Sequence, residues 1–276
     1  MTSRLTRFGK FELPEERVRD VRTWRNNALE GCDIQFALDC SGSMQWTYSD
    51  TKAVTTTSPE RTRFFMAKKI INTLAEEVFK HDDSIEMWKI QLLAGASAWS
   101  KSSYLKTGLK DKNAVKNFMD SLTPTGGTPL REVLVEVLNA FKERLAKDPL
   151  NTKPLSLVVV GDGHDGNIDD IIQGFAANIR QLTNKDPREK LGIQFVLVSQ
   201  QEQVLKDFED FDDKKEYMSD GKPFECDIVD VTNLQEIEDL GTIESELCQA
   251  KILAGALNPT LDDLVKALKL AGAETT

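Results

Sequence analysis

The feature that most restricts this chain is a series of short Val-, Ile- and Leu-rich runs without in/out alternation. CDIQFALD (Cys32–Asp39), SIEMWKIQLLAG from Ser84, PLSLVVVGDG from Pro154 and LGIQFVLVSQ from Leu191 are of this kind. A strand with one face in water alternates between apolar and polar side chains, whereas a strand covered on both faces does not. Between the runs lie segments with helical spacing. Ala67, Ile71, Leu74 and Val78 predict a helix over residues 60–80, and Leu130, Val133, Leu134, Val137, Leu138 and Phe141 predict another. IDDIIQGFAANIRQL and EQVLKDFEDF add two more, and FECDIVDV reads as a final strand. This succession predicts an α/β fold, a doubly wound and mostly parallel sheet flanked by helices. AWSKSSYLK (Ala98–Lys106) is expected to supply one antiparallel edge strand.

No internal repeat or linker divides the chain. Residues 1–30 read as an N-terminal arm and helix, with a loosely structured arm up to residue 13. Val18, Val21, Trp24 and Leu29 form the stripe of that helix, and Gly31 stops it. Residues 31–258 form the predicted main domain, and 259–276 a C-terminal helical tail packed on or beside it.

Charge narrows the range of ligands. The 276 residues carry 45 acidic and 35 basic side chains, a formal charge of -10. Such a surface disfavours nucleic acid and anionic membranes, which need clustered Lys and Arg, and welcomes metal cations. No apolar segment has the length of a signal core or a membrane span. Cys32, Cys40, Cys226 and Cys248 show no CxxC or zinc spacing, and His81 and His164 are the two histidines. Reduced thiols and a cytoplasmic location are the expectation.

In open parallel sheets ligands bind beyond the C-terminal ends of the strands. There the sequence puts Asp39-Cys40-Ser41-Gly42-Ser43 after one strand and Gly161-Asp162-Gly163 after another. Thr125-Gly126-Gly127-Thr128-Pro129 leads into a helix. Each piece has an ordinary reading: a strand-end turn for the first, a helix cap for Thr128-Pro129, a turn dipeptide for Asp162-Gly163. Their order, each at the mouth of a predicted strand or helix, favours convergence. Two carboxylates and several hydroxyls are hard oxygen donors, suited to Mg²⁺, Mn²⁺ or Ca²⁺ and not to zinc.

Asp39-x-Ser41-x-Ser43, Gly126-Gly127-Thr128 and Asp162-Gly163 together resemble the metal-ion-dependent adhesion site of the von Willebrand factor A family. The PTGGTPL turn and the GIQFVLVSQ strand are also similar to intracellular stand-alone members, including fungal ones. The resemblance implies that Ser41, Ser43 and Thr128 ligate Mg²⁺ through their hydroxyls, with Asp39 and Asp162 close by. It implies one coordination position left for an Asp or Glu carboxylate of a protein partner. Gly161 departs from the pattern, because Thr is common there. Trp46, Tyr48 and His164 lie near the expected metal face and are candidate partner contacts. The expected function is therefore a metal-dependent protein-binding module and not an enzyme. The alternatives are a Mg²⁺-dependent phosphohydrolase using Asp39, or a structural domain with an empty site. The G-x-S-x-G elbow, the P-loop and the dinucleotide fingerprint do not occur.

Overall fold

A computed structural model describes residues 5–48, 58–92, 104–163, 168–212, 216–219 and 222–273. Its centre is a six-stranded sheet built from β3 (Asp33–Asp39), β4 (Ile85–Ile90), β5 (Leu105–Leu109), β6 (Leu155–Gly161), β7 (Leu191–Leu197) and β10 (Val229–Asn233). The order across the sheet is β10-β7-β6-β3-β4-β5. All neighbours run parallel except β5, which is antiparallel to β4 at the edge. The mostly parallel α/β architecture and its antiparallel strand are those the sequence predicts. Every residue of β6 and β7 is buried, which explains why these runs show no alternation.

Helices cover both faces. On one side lie α1 (Glu15–Gly31), α2 (Arg63–Val78), α3 (Lys112–Asp120), α7 (Leu234–Asp239), α8 (Glu246–Ala254) and α9 (Pro259–Ala273). On the other lie α4 (Leu130–Lys147), α5 (Asp169–Thr183) and α6 (Glu202–Asp212). Leu130, Val133, Leu134, Val137, Leu138 and Phe141 of α4 are all buried, the stripe its spacing predicts. Helix α2 starts at Thr62, whose hydroxyl accepts from the Phe65 amide at 3.1 Å, and buries Ala67, Ile70, Ile71, Leu74 and Val78.

Three segments differ from the expectation. The N-terminal arm is ordered: β1 (Leu5–Phe8) pairs with β2 (Phe11–Pro14), burying Phe8, Phe11 and Leu13. Gly9 turns this hairpin at φ +54° against Asp239 and Gly241, where a Cβ would sit 2.3 Å from the Asp239 carbonyl oxygen. The run FECDIVDV is divided. Its start belongs to β9 (Lys222–Glu225), which pairs with β8 (Glu216–Ser219) in a separate hairpin. Its end enters β10, because the Ile228 carbonyl accepts from the Ile193 amide and sets the register with β7. The edge strand begins at Leu105, so most of AWSKSSYLK lies outside the described residues.

The chain runs from β3 to β4 on one side, and β6 then lies on the other side of β3. The order therefore reverses between β3 and β6. Side chains leaving the C-terminal ends of these two strands share one crevice.

Candidate functional site

Asp39 is the last residue of β3, and Asp162 directly follows β6. Past Asp39 the chain enters a short 3-10 turn, Gly42–Gln45, which holds Ser43. The turn is tied to the segment before α4. The Gly42 amide donates to the Gly126 carbonyl at 2.9 Å, and the Thr125 amide donates to the Cys40 carbonyl at 2.8 Å. Gly126 adopts φ +77°, a backbone conformation that favours glycine. Leu92 and Gly127 bridge the same segment to the end of β4. Buried Gln91 donates to the carbonyls of Cys40, Thr123 and Thr125 at 3.0, 2.8 and 3.1 Å. Three chain segments are fastened through one amide side chain.

Four of the predicted site residues form one hydrogen-bonded string. The Ser41 amide donates to Asp39 Oδ1 at 2.7 Å, and the Ser41 and Ser43 hydroxyls lie 3.0 Å apart. Ser43 Oγ in turn donates to Asp162 Oδ1 at 3.0 Å. Thr128, the fifth, lines one narrow cavity with Asp39, Gly161 and Gly163. The capping role open to Thr128 in the sequence is not the one observed. Pro129 occupies the cap position of α4, and no side chain caps the helix.

The two carboxylates are treated unequally. Asp162 has both oxygens engaged, Oδ1 by Ser43 and Oδ2 by Arg63 Nη1 at 2.6 Å, and this ion pair is almost wholly buried. Asp39 is also buried, and its Oδ2 has no hydrogen-bond partner. Burial first, and the nearby Asp162 charge second, push the Asp39 carboxyl from its usual 3.8 up to about 8.

An orphaned buried carboxylate oxygen is a costly feature unless something arrives to meet it. The donors around it are carboxylate and hydroxyl oxygens, which fit a hard divalent cation. Among the described residues no group of three or more His, Cys, Asp or Glu converges as a metal site. Any ion held here would rest mainly on neutral hydroxyls.

Gly161, where the sequence departs from the resemblance, has a structural consequence. A Cβ at this position would lie 3.0 Å from Asp39 Cβ and 3.3 Å from its Oδ2. The bare backbone leaves the room that the Asp39 carboxylate occupies. Cys40 is fully buried and its thiol is pushed far above its usual value, mainly by desolvation, so it packs as an apolar side chain.

Of the candidate partner contacts, Trp46 is half-buried, and the Arg63 guanidinium stacks over its ring at 5.2 Å. Tyr48 is half-buried and lines a cavity with Met66, Lys69 and Ile70 of α2. His164 lies outside the described residues. The sequence reading missed Arg63 and Gln91. Arg63 had a visible signal: it stands four residues before Ala67 on the stripe that α2 buries, so its charge needs a partner inside.

The chain is similar to the PilB minor pilin from Streptococcus sanguinis, at 12% identity over 85% of this chain, with a TM-score of 0.46. It spans 62% of that pilin's length. A von Willebrand factor type A protein from Catenulispora acidiphila is 14% identical over 82% of this chain and 43% of its own, with a TM-score of 0.40. The manganese-loaded TRAP protein of Plasmodium vivax is 14% identical over 77% and 72% of the two chains, with a TM-score of 0.39. A search of curated proteins finds none that matches. Residues 34–164 match the family of the von Willebrand factor type A domain, a span from β3 to just past β6 that contains Asp39, Ser41, Ser43, Thr128 and Asp162. Over that span the chain is therefore similar to the von Willebrand factor type A domain.

Proposed function

We propose that this chain is a cation-dependent protein-binding module. Its partner presents an Asp or Glu carboxylate to a divalent ion held at the rim of β3 and β6. Ser41, Ser43 and Thr128 are the hydroxyl ligands, and Asp39 and Asp162 are the flanking carboxylates. Bound Mg²⁺, or Mn²⁺ or Ca²⁺, supplies an electrophilic position for that acidic group. The family often mediates metal-dependent protein interactions, which supports the same reading.

The observation that carries the proposal is Asp39 Oδ2, buried and unmet beside a string of hydroxyls that ends on a second carboxylate. Each protein group has a part in this. The Ser41 amide orients Asp39, the Ser43 hydroxyl holds Asp162, and Gln91 fixes the loop that carries Thr128. Hydroxyl ligands carry no charge, so a bound ion would keep enough charge to attract a further carboxylate. This is binding chemistry, and the chain is proposed to be a binder and not an enzyme.

Among the described residues no helix is long and apolar enough to cross a membrane. All four cysteines are free and buried, in keeping with a reducing, cytoplasmic setting.

Calorimetric titration with MnCl₂ tests the site. The wild-type chain is expected to bind one ion, and Asp39→Ala and Thr128→Ala to bind none while keeping native circular dichroism. An acidic peptide should then bind the wild type with Mn²⁺ and lose binding with chelator. A wild-type titration without heat at any concentration up to millimolar sinks the proposal.

A further inference from the structure

We infer that Arg63 is the resident cation of the site and competes with a divalent ion for Asp162. The inference rests on the cation-binding reading above and assigns a function to a side chain outside the ligand set. Arg63 is 1% exposed, and its Nη1 donates to Asp162 Oδ2 at 2.6 Å. Its Nε and Nη2 have no hydrogen-bond partner. An arginine kept for architecture normally spreads its five donors over several acceptors. This one is committed to a single carboxylate oxygen and to the face of Trp46, 5.2 Å from its guanidinium carbon.

Charge explains the arrangement. Two buried carboxyl groups, Asp39 and Asp162, are linked through Ser41 and Ser43, and one buried guanidinium pairs with Asp162. Without Arg63 the Asp162 carboxylate would be buried without a counter-charge, so the guanidinium keeps the ion-free site intact. With a divalent ion present the same guanidinium repels it and holds one of its oxygens. Arg63 therefore stabilises the ion-free state and weakens the ion-bound one.

The position also couples the site to its surroundings. The Arg63 amide donates to the Trp46 carbonyl at 2.8 Å, and Thr47 bridges to Thr62. Arg63 thus joins the start of α2 to the turn that bears Ser43, and Trp46 is a built-in reporter of the guanidinium above it.

The test compares the wild-type chain with Arg63→Met and Arg63→Lys, using Mg²⁺ in calorimetry and in tryptophan fluorescence. Arg63→Met is expected to bind Mg²⁺ at least tenfold more tightly, whereas Arg63→Lys, which keeps the charge, stays within about threefold of wild type. A merely structural Arg63 would instead weaken binding in Arg63→Met, and that result, or equal affinity, overturns the inference while leaving the cation site standing. Binding by Arg63→Met but not by wild type upholds the inference and removes the cation-dependent reading of the native chain. Binding by neither removes both.

Should circular dichroism find Arg63→Met unfolded, the wild-type fluorescence decides. Saturating Mg²⁺ is expected to change an emission component that Trp46→Phe lacks. Calorimetric binding without that change overturns the inference.

Discussion

Two buried ion pairs among the described residues are built differently. Asp230 of β10 meets Lys251 of α8 with both side chains 3% exposed. Asp162 meets Arg63 with side chains at 3% and 1%. In the first, Gly255 closes over Asp230 so tightly that a Cβ would touch the carboxylate. In the second a further carboxylate, Asp39, lies alongside with one oxygen unmet. One pair joins a helix to the sheet. The other is a carboxylate pair with a single internal cation, and it sits where two parallel strands diverge. Burial alone does not separate architecture from function; what lies beside the pair does.

The largest expected effect isolates the architectural pair. Lys251→Met leaves Asp230 buried without its partner and is expected to cost about 3–5 kcal/mol in denaturant unfolding. It should leave Mn²⁺ affinity unchanged in calorimetry; a matching loss of affinity would mean that the two pairs are not independent.

Next comes the response to cation. A ligand bound only by the folded state stabilises it by about 2.7 kcal/mol at one hundred times its Kd. Thermal unfolding of the wild type and of a surviving Lys251→Met chain should both shift upward by this amount with Mn²⁺, and Asp39→Ala should not shift at all.

The pH dependence sharpens the contrast further. With its carboxyl raised from 3.8 to about 8, Asp39 holds a proton in the folded chain that it has already lost in the unfolded chain. The folded state binds more protons across that window, so without cation this group's stabilisation is complete below 3.8 and is lost as pH rises through about 8. The slope it adds is at most about 1.4 kcal/mol per pH unit. Asp39→Asn should remove it, which chemical denaturation between pH 5 and pH 9 would measure. Cation binding below that upper value should also release a proton, visible as a buffer-dependent heat.

The smallest effect is expected at Gly161. A Cβ 3.0 Å from Asp39 Cβ must push the carboxylate by a few tenths of an ångström. Gly161→Ala should cost about 1 kcal/mol from overpacking and lower Mn²⁺ affinity, while Gly174→Ala, in open space, does neither. Equal behaviour of the two variants would show that Asp39 has room to spare.

Much of the site was legible because its residues follow strands whose burial is written in the sequence. Asp39 ends a run with no alternation, and Asp162 ends another, so both had to reach the same edge of a parallel sheet. Thr128 came from the family resemblance, because its place before an amphipathic helix is equally that of a cap. The hairpins were less legible. Phe8, Phe11 and Leu13 sit in a short segment rich in polar residues, and the FECDIVDV run hides a change of partner between β8 and β7.

By itself the sequence determined the order of the central strands and the helices between them and which oxygens lie at the strand ends, because periodicity dictates the side to which each residue turns. It even placed Arg63 on the inward stripe of α2. Only the tertiary structure decided what faces Arg63, an aspartate 99 positions away, and how much space Gly161 leaves for Asp39. Local spacing determines direction, whereas the partner of a buried charge depends on which distant segments the sheet order brings together.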